Sequence, residues 1–191
     1  FVFKLDTINP YAETDGSAVD AERLTYDMLA RVGPDGVPVP WAAESWELVD
    51  NVTVKINLRH DMAFHDGVPV TAEDVKFSYD TQKEQGASIY KPFLEPIKEV
   101  EIVDDYTLIF HLHKPYPALY QATFSQIFIL PKHFWETIPD PKRDYVPDSM
   151  LGSGPFIYKE WLIGQEVKYI ANKDHWSAPK IDMFIESFFD N

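Results

Sequence analysis

Residues 41–80 read WAAESWELVDNVTVKINLRHDMAFHDGVPVTAEDVKFSYD, and three local patterns follow one another within them. From Val52 to Leu58, apolar residues alternate with polar ones, which is the pattern of a strand with one buried face. Asp66-Gly67 then favours a tight turn, since glycine readily takes a positive φ. Thr71, followed by two acidic residues, is typical of a helix N-terminus. We therefore predict a strand, a turn and a capped helix in immediate succession.

Elements on both sides of this stretch give the chain a mixed α+β pattern. Apolar residues at helical spacing predict a helix from Ser17 to Arg31. Residues 1–5 are expected to form a short strand, and Pro131 to open a short helix. Alternating and aromatic runs predict further strands at residues 100–103, 107–112, 156–161, 166–171 and 182–189.

Composition narrows the range of functions. The chain has 191 residues, 45% of them hydrophobic, which is enough for a substantial core. Its formal net charge of −14 argues against binding to nucleic acid or to anionic membrane surfaces, because both depend on cationic side chains. The absence of cysteine excludes disulfides, thiolate nucleophiles and cysteine-based metal sites.

The sequence predicts neither a membrane-spanning helix nor a signal peptide. No apolar run approaches the ~18 residues that a membrane-spanning helix needs. The chain opens on Phe1-Val2-Phe3-Lys4, which lacks the basic and long apolar regions of a signal peptide. For an exported protein, we expect the signal to have been removed or omitted.

Residues 152–155, Gly-Ser-Gly-Pro, come nearest to a catalytic motif. A serine hydrolase would need the G-x-S-x-G spacing, which occurs nowhere in the chain. Pro155 has no N–H to donate and no helical pattern follows it, so these residues do not resemble a phosphate-binding loop either. We interpret them as a tight turn that leads into a strand.

Several histidines and carboxylates are candidates for metal ligands or acid–base pairs. His111 and His113 share one face of a predicted strand, and His60-Asp61 and His65-Asp66 flank a turn, but no third ligand accompanies any of these pairs at a telling spacing. Neighbouring acids are explained by helix-dipole compensation and turn formation. We therefore predict no metal, no cofactor and no catalytic site.

Several segments nevertheless resemble one known family. Ala43-Glu44-Ser45-Trp46, Phe64-His65-Asp66-Gly67 and Pro69 to Val75 resemble the "LAESWE … FHDG-PVTAEDV" block of bacterial extracellular solute-binding proteins of the oligopeptide/dipeptide class, the capture subunits of ABC importers. Gly152 to Phe156 and His175-Trp176 are similar to the same family's "GTGPY … YW" segment. The resemblance runs from Asn9 to about Ile185 and covers only the first part of the family's longer members.

The resemblance implies a fold and a role. The fold would be α/β (mixed α+β), of the periplasmic-binding-protein-like type II, with most of the first lobe present. Residues 1–30 and 150–191 would form a base subdomain, and residues 31–149 an inserted subdomain of hairpins and short helices. A missing C-terminal lobe would close over the solute, and its absence would expose an apolar edge along residues 183–185 and 188–189. The protein would be periplasmic or a cell-surface lipoprotein, and not an enzyme.

The resemblance also implies where a solute would be contacted. Polar contacts are expected from Glu13, Thr14 and Asp15 in the loop after the first strand, and an aromatic contact from Tyr90. Further contacts are predicted near loop ends, at Phe124, Ser125, Gln126 and Ser153.

Partners and rival functions follow from the same interpretation. The expected partners are an oligopeptide or another small solute (a sugar, a metal chelate or an opine-like compound) and an ABC permease in the membrane. Two other functions stay open at this point, an extracellular metal-dependent hydrolase and a non-catalytic adhesion or scaffold module.

Overall fold

The computed structural model describes residues 7–12, 16–144 and 150–188. Its helices and strands are α1 (Gly16–Thr25), β1 (Ala30–Val32), β2 (Pro38–Pro40), β3 (Ala43–Asp50), β4 (Thr53–Leu58), α2 (Ala72–Gln85), α3 (Lys91–Leu94), β5 (Ile97–Asp104), β6 (Thr107–Leu112), α4 (Lys132–Trp135), β7 (Phe156–Leu162), β8 (Glu166–Ala171) and β9 (Met183–Ser187). A 3₁₀ turn covers Ser88–Tyr90, and a π-helical turn covers Leu119–Thr123. The strand predicted at residues 1–5 lies outside the described residues. None of the described helices combines the length and the apolar character needed to cross a bilayer.

The strands form three antiparallel sheets. Their orders are β1-β2, β3-β4-β6-β5 and β7-β8-β9. Helices and sheets alternate along the described chain, which confirms the mixed α/β class expected from the sequence. The division into a base (residues 1–30 and 150–191) and an insertion (residues 31–149) stays a prediction.

The four-stranded sheet carries the predicted strand at its centre. Buried residues alternate with partly exposed ones along β4, and the inward residues from Val54 to Leu58 are at most 2% exposed. In the neighbouring β6, Leu108 lies opposite Ile56. The buried face of the sheet packs against α2, where the ring of Tyr79 meets that of Phe110 edge-on at 5.0 Å. The period-2 pattern in the sequence therefore identified both the strand and its buried face.

Helix α2 begins where the sequence predicts, directly after Thr71. The carboxylate of Asp74 accepts hydrogen bonds from the backbone N–H and the hydroxyl of Thr71, at 2.9 and 3.0 Å. The other carboxylate oxygen accepts the backbone N–H of Lys132 at 3.0 Å. Asp74 thus fixes the start of α2 and attaches the first turn of α4 to it. The preceding turn also forms as predicted, with Gly67 at a φ of 89°.

The helix predicted from Ser17 to Arg31 is wrong in its second half. Helix α1 ends at Thr25, and Ala30–Val32 form strand β1 instead. The backbone N–H of Ala30 donates to the carbonyl of Phe124 at 2.9 Å, a bond to a distant segment that a continuing helix could not make. Tertiary pairing therefore overrides the helical spacing of the apolar residues here.

The Gly-Ser-Gly-Pro segment packs closely against the end of α1 and bends at residues 154–155. Gly154 donates its N–H to the carbonyl of Thr25 at 2.7 Å. A Cβ atom on Gly152 would lie only 2.1 Å from that carbonyl oxygen, so a side chain cannot be accommodated. Strand β7 starts at Phe156, directly after this segment. The predicted entry into a strand is confirmed, but a bend takes the place of the predicted tight turn.

Strand β9 forms one edge of the third sheet and exposes apolar side chains. Met183, Phe184 and Ile185 are 51%, 38% and 45% exposed. The predicted apolar edge is confirmed for these three residues. Phe188 is partly buried against the core, and Phe189 lies outside the described residues.

A carboxyl group is buried in α1. Glu22 has no exposed surface, and its Oε2 accepts a hydrogen bond from the Tyr90 hydroxyl at a long 3.5 Å. Its Oε1 has no partner among the described residues. Burial in a low-dielectric surrounding raises the pKa of Glu22 from 4.5 to about 8, the Tyr90 hydrogen bond opposing the shift. The fold therefore holds this side chain mainly in its neutral form at pH 7.

We expect Ile56→Asp to unfold the domain or to lower its free energy of unfolding by several kcal/mol, because the carboxylate would be buried without a partner. Leu48→Asp is the matched control, since Leu48 lies on β3 in the same sheet but is 59% exposed. Urea unfolding followed by circular dichroism distinguishes the two. A fully stable Ile56→Asp variant would show that the buried face is assigned wrongly.

Glu22 gives a second expectation, in the pH dependence of stability. Because its folded pKa is raised, its stabilising effect is complete below about pH 4.5 and is lost as the pH rises through about 8. Glu22→Gln cannot ionise, so its stability relative to the wild type should rise by a few kcal/mol between pH 5 and pH 8. Urea unfolding at both pH values measures the difference, with the exposed Glu44→Gln as control. A difference that does not change with pH contradicts the burial of a neutral carboxyl group.

Candidate functional site

A cleft of about 490 Å³ opens between the end of α1, strand β1 and two later segments. Its lining residues are Arg23, Leu24, Met28, Arg31, Val32, Ser125, Gln126, Pro155 and Phe156. Cavities of this size accept small solutes, and a mostly apolar wall with a few polar groups is typical of such sites.

The cleft owes its shape to the chain reversal at the end of α1. Because the helix stops at Thr25, the chain turns back as β1 and brings Arg31 onto the same side as Arg23. The opposite wall follows the π-helical turn, whose last residue, Thr123, accepts the backbone N–H of Gln126 at 3.1 Å. The hydroxyl of Ser125 donates to the carbonyl of Gln121. Both walls are therefore fixed by backbone geometry.

Arg23 connects the two walls of the cleft. One of its Nη atoms donates to the side-chain oxygen of Gln126 at 2.8 Å. The other lies 3.4 Å from Asp20, whose side chain is 72% exposed. An ion pair this exposed contributes little to stability.

Arg31 is held by stacking. Its guanidinium lies over the ring of Trp41, 3.6 Å from the ring centroid. One Nη atom is 4.0 Å from Asp27, and the side chain of Arg31 makes no hydrogen bond within the described part of the chain. Burial lowers the pKa of Arg31, as does the neighbouring charge of Arg23, whereas Asp27 raises it. Because the ordinary pKa of arginine lies far above neutral pH, Arg31 stays charged despite this lowering.

Asp27 lies beneath Arg31 and has no exposed surface. It accepts the indole N–H of Trp41 at 2.6 Å and pairs with Nε2 of His175 at 3.3 Å. Because Nδ1 of His175 accepts the backbone N–H of Ser177, Nε2 is the nitrogen that donates to Asp27.

The stack beside Asp27 continues across the surface. Trp41 packs on Trp176 with ring centroids 4.6 Å apart, and the guanidinium of Arg59 lies 3.8 Å from the centroid of Trp176. Arg59 in turn makes a two-point ion pair with Asp61, at 2.9 and 2.8 Å. The four stacked side chains, Arg31, Trp41, Trp176 and Arg59, are called the arginine–tryptophan stack below.

The structure brings only some of the predicted site residues to the cleft. Ser125 and Gln126 line the cleft. Ser153 is 1% exposed, two residues before the lining Pro155, and its hydroxyl has no partner among the described residues. Phe124 and Tyr90 are 0% and 3% exposed and face the core, which disfavours direct contact with a solute. The positions of Glu13, Thr14 and Asp15 lie outside the described residues, and all eight assignments stay predictions.

Sequence reasoning gave no role to Arg23 and Arg31. Both fell inside the helix predicted from Ser17 to Arg31, and an uninterrupted helix does not fold back to form a cleft. The signal that could have found Arg31 is Trp41, an aromatic residue of the kind on which arginine stacks, whereas no local pattern marks Arg23.

Several histidines make structural contacts within the fold. Among the described residues, no three side chains of the metal-binding types come together. His111 pairs with the exposed Glu101 at 2.9 Å, and His133 pairs with Asp66 at 2.8 Å. His65 contacts the carbonyl of Gly154 at 3.0 Å, and burial lowers its pKa.

Comparison with known proteins identifies a family that this chain resembles in sequence and in fold. The family model described as bacterial extracellular solute-binding proteins, family 5 Middle, matches residues 37–191. The oligopeptide-binding protein AppA of Bacillus subtilis is 30% identical over 185 residues, which is 91% of this chain and 33% of that protein. The structure of AppA from Bacillus subtilis in complex with a nonapeptide superposes with a TM-score of 0.87 at 27% identity, covering 99% of this chain and 39% of that one.

A second solved structure is similar to the same extent. NikZ from Campylobacter jejuni in complex with Ni(L-His) superposes with a TM-score of 0.83 at 31% identity, over 96% of this chain and 37% of that chain. The chain thus spans between a third and two fifths of the length of these relatives. Since the family model covers most of the sequence and the fold agrees over nearly its whole length, the chain belongs to the bacterial extracellular solute-binding proteins of family 5 and comprises part of their type II periplasmic-binding fold.

Proposed function

We propose that this chain forms most of the first lobe of an extracytoplasmic solute-binding protein that captures a peptide or a related small solute and delivers it to an ABC permease. The observation that carries the proposal is the cleft itself. It combines an apolar wall with the polar groups of Arg23, Arg31, Ser125 and Gln126. Because the chain belongs to a family of solute-binding proteins, we expect such a cleft to hold a solute.

Capture would work by closure of two lobes. The cleft is open on one side, so a solute bound to this lobe alone would keep part of its surface in water. A second lobe that closes over it would bury the remainder and strengthen each polar contact by excluding solvent. The closed form would then differ in shape from the open form, which gives a permease a means of recognising the loaded protein.

A peptide is the solute that we favour. AppA, which is similar over nearly the whole chain, is an oligopeptide-binding protein and its structure holds a nonapeptide. The Ni(L-His) bound to NikZ makes a metal chelate the second candidate. In that case the metal would arrive within the solute, and the protein would not need a ligand cluster of its own.

We further propose that the protein lies in the periplasm or is anchored at the cell surface by a lipid.

The rival functions have less support. A hydrolase would need an accessible nucleophile beside a base, whereas Ser153 is buried between two glycines that pack against α1. An adhesion or scaffold module would have no use for an apolar cleft of this size with polar groups directed into it. We therefore propose that the protein binds without catalysis.

The test compares the full-length protein with the 191-residue chain. Native mass spectrometry of the full-length protein is expected to detect a co-purified solute, and titration calorimetry with synthetic nonapeptides is expected to give an affinity at least about a hundredfold higher than that of the isolated chain, about 2.7 kcal/mol. The reason is that half a cleft loses contacts but must still immobilise the ligand.

Circular dichroism of the isolated chain serves as the folding control. Equal affinities would mean that this lobe holds a complete site, and closure by a second lobe would be rejected. A full-length protein that co-purifies with no solute and is not stabilised by any peptide would contradict solute capture as a whole.

A further inference from the structure

We infer that Arg23 and Arg31 form an anion-recognition site within the cleft and that it takes a carboxylate of the bound solute. The inference rests on the proposed function, because it specifies the chemistry that the same cleft would recognise. Four features of the described residues support it.

Each of the two arginines has an aspartate nearby, but only part of their hydrogen-bonding capacity is used. Arg23 donates to Gln126 at 2.8 Å and pairs with the exposed Asp20 at 3.4 Å, whereas the Arg31 side chain lies 4.0 Å from Asp27 and makes no hydrogen bond among the described residues. Asp27 is already engaged by Trp41 and His175, at 2.6 and 3.3 Å. Two guanidinium groups on one cleft repel each other, so an anion between them would remove an unfavourable interaction as well as add two favourable ones.

Arg59 is an arginine of this protein whose guanidinium has both an aromatic stacking partner and a hydrogen-bonded carboxylate partner. It stacks on Trp176 in the same way as Arg31 stacks on Trp41, but it also makes a bidentate pair with Asp61. Arg31 has the stacking partner, but its carboxylate neighbour Asp27 is 4.0 Å away and accepts no hydrogen bond from it. The comparison points to a hydrogen-bonded carboxylate as what Arg31 lacks, since two-point geometry of this kind suits a planar carboxylate.

Stacking also orients the donors of Arg31. A guanidinium lying flat on an indole ring keeps its N–H groups in the plane parallel to that ring, where they remain available to a ligand. Trp41 itself is fixed by its hydrogen bond to the buried Asp27. The donor group is therefore preorganised, and little conformational entropy would be lost when a ligand binds.

The surroundings of the arginines are apolar. Leu24, Met28, Val32, Pro155 and Phe156 form most of the remaining lining. Low polarity around a charge pair strengthens it, and the same walls would hold the apolar part of a solute next to its carboxylate. In a chain of net charge −14, the two guanidinium groups are the part of the cleft that attracts an anionic solute.

The test uses the full-length protein and pools of synthetic nonapeptides that contain no aspartate or glutamate. One pool carries free C-terminal carboxylates and the other carries C-terminal amides. A third pool is amidated and contains one glutamate, which distinguishes a side-chain carboxylate from the C-terminal one. Affinities are measured by titration calorimetry on the best-binding sequence of each pool, synthesised in both terminal forms.

We expect the wild type to bind the free acid at least about tenfold more tightly than the amide, as befits charge-assisted hydrogen bonds. In Arg23→Gln and Arg31→Gln this preference should shrink or vanish, with the amide affinity nearly unchanged. If the third pool recovers the affinity, the site takes a side-chain carboxylate, and the inference stands with that source.

Arg143→Gln is the matched control. It removes the same charge from a side chain that is 85% exposed and lies outside the cleft, so the preference for the acid should persist. Should Arg31→Gln fail to fold because its stack with Trp41 is lost, Arg23→Gln still decides the question, since its ion-pair partner Asp20 is an exposed residue. Arg23→Lys, which keeps the charge but not the planar fork, is expected to retain part of the preference.

Each outcome is decisive. Tight binding of peptides with equal affinity for acid and amide and no gain from the glutamate pool would overturn the carboxylate site and leave solute capture intact. If Arg23→Gln lowers the affinity for the acid and for the amide by the same factor, the arginines act in lobe closure or packing, and the inference is overturned. Failure of the wild type to bind any pool would reject peptide capture and this inference together.

Discussion

Asp27 is the constraint on which the arrangement of the lobe depends. A carboxylate without exposed surface is costly unless its oxygens are satisfied, and here Trp41 and His175 satisfy them from two distant parts of the chain. The backbone carbonyl of the same residue accepts the N–H of Ile129 at 2.9 Å. One side chain and its own peptide group thus join the end of α1, the segment after β2, the segment before α4 and the turn after β8. Removing the carboxylate would leave an indole N–H and an imidazole N–H without their acceptor at the junction of all four.

The second contact of this junction depends on the absence of side chains. Gly152 and Gly154 allow the backbone to approach Thr25 closely, and β7 begins directly afterwards. The close approach and the hydrogen bonds of Asp27 act on the same few residues at the end of α1. Together they explain why the helix stops there and why the cleft forms where the chain reverses. The position of the arginines is a consequence of this reversal.

The sequence predicted those elements whose stability is local or has a simple period. Strand β4, helix α2 and the hairpin of β7 and β8 follow from alternation, capping residues and turn glycines, and they were found within a few residues. The end of α1 depends on a hydrogen bond from Ala30 to Phe124, and no local pattern encodes a contact across that distance. Strand β3 was missed for a related reason, because its residues after Ala43 are mostly exposed and show no alternation.

The candidate site shows the same division. Ser125 and Gln126 could be placed near the cleft from the order of predicted loops, whereas the burial of Tyr90 and Phe124 depends on packing against distant rings.

The arginine–tryptophan stack has an optical consequence. Trp41 and Trp176 lie with ring centroids 4.6 Å apart and ring planes inclined at 57°. Two indole chromophores that are this close and not parallel share their electronic excitations, and an inclined pair of coupled transitions absorbs left- and right-handed circularly polarised light unequally. The native lobe therefore contains an exciton pair whose signal comes from a single junction. Trp46, Trp135 and Trp161 take no part in this pair, so they contribute a background instead. Because Arg31 lines the cleft and lies over the ring of Trp41, a single side chain separates this chromophore pair from the cleft.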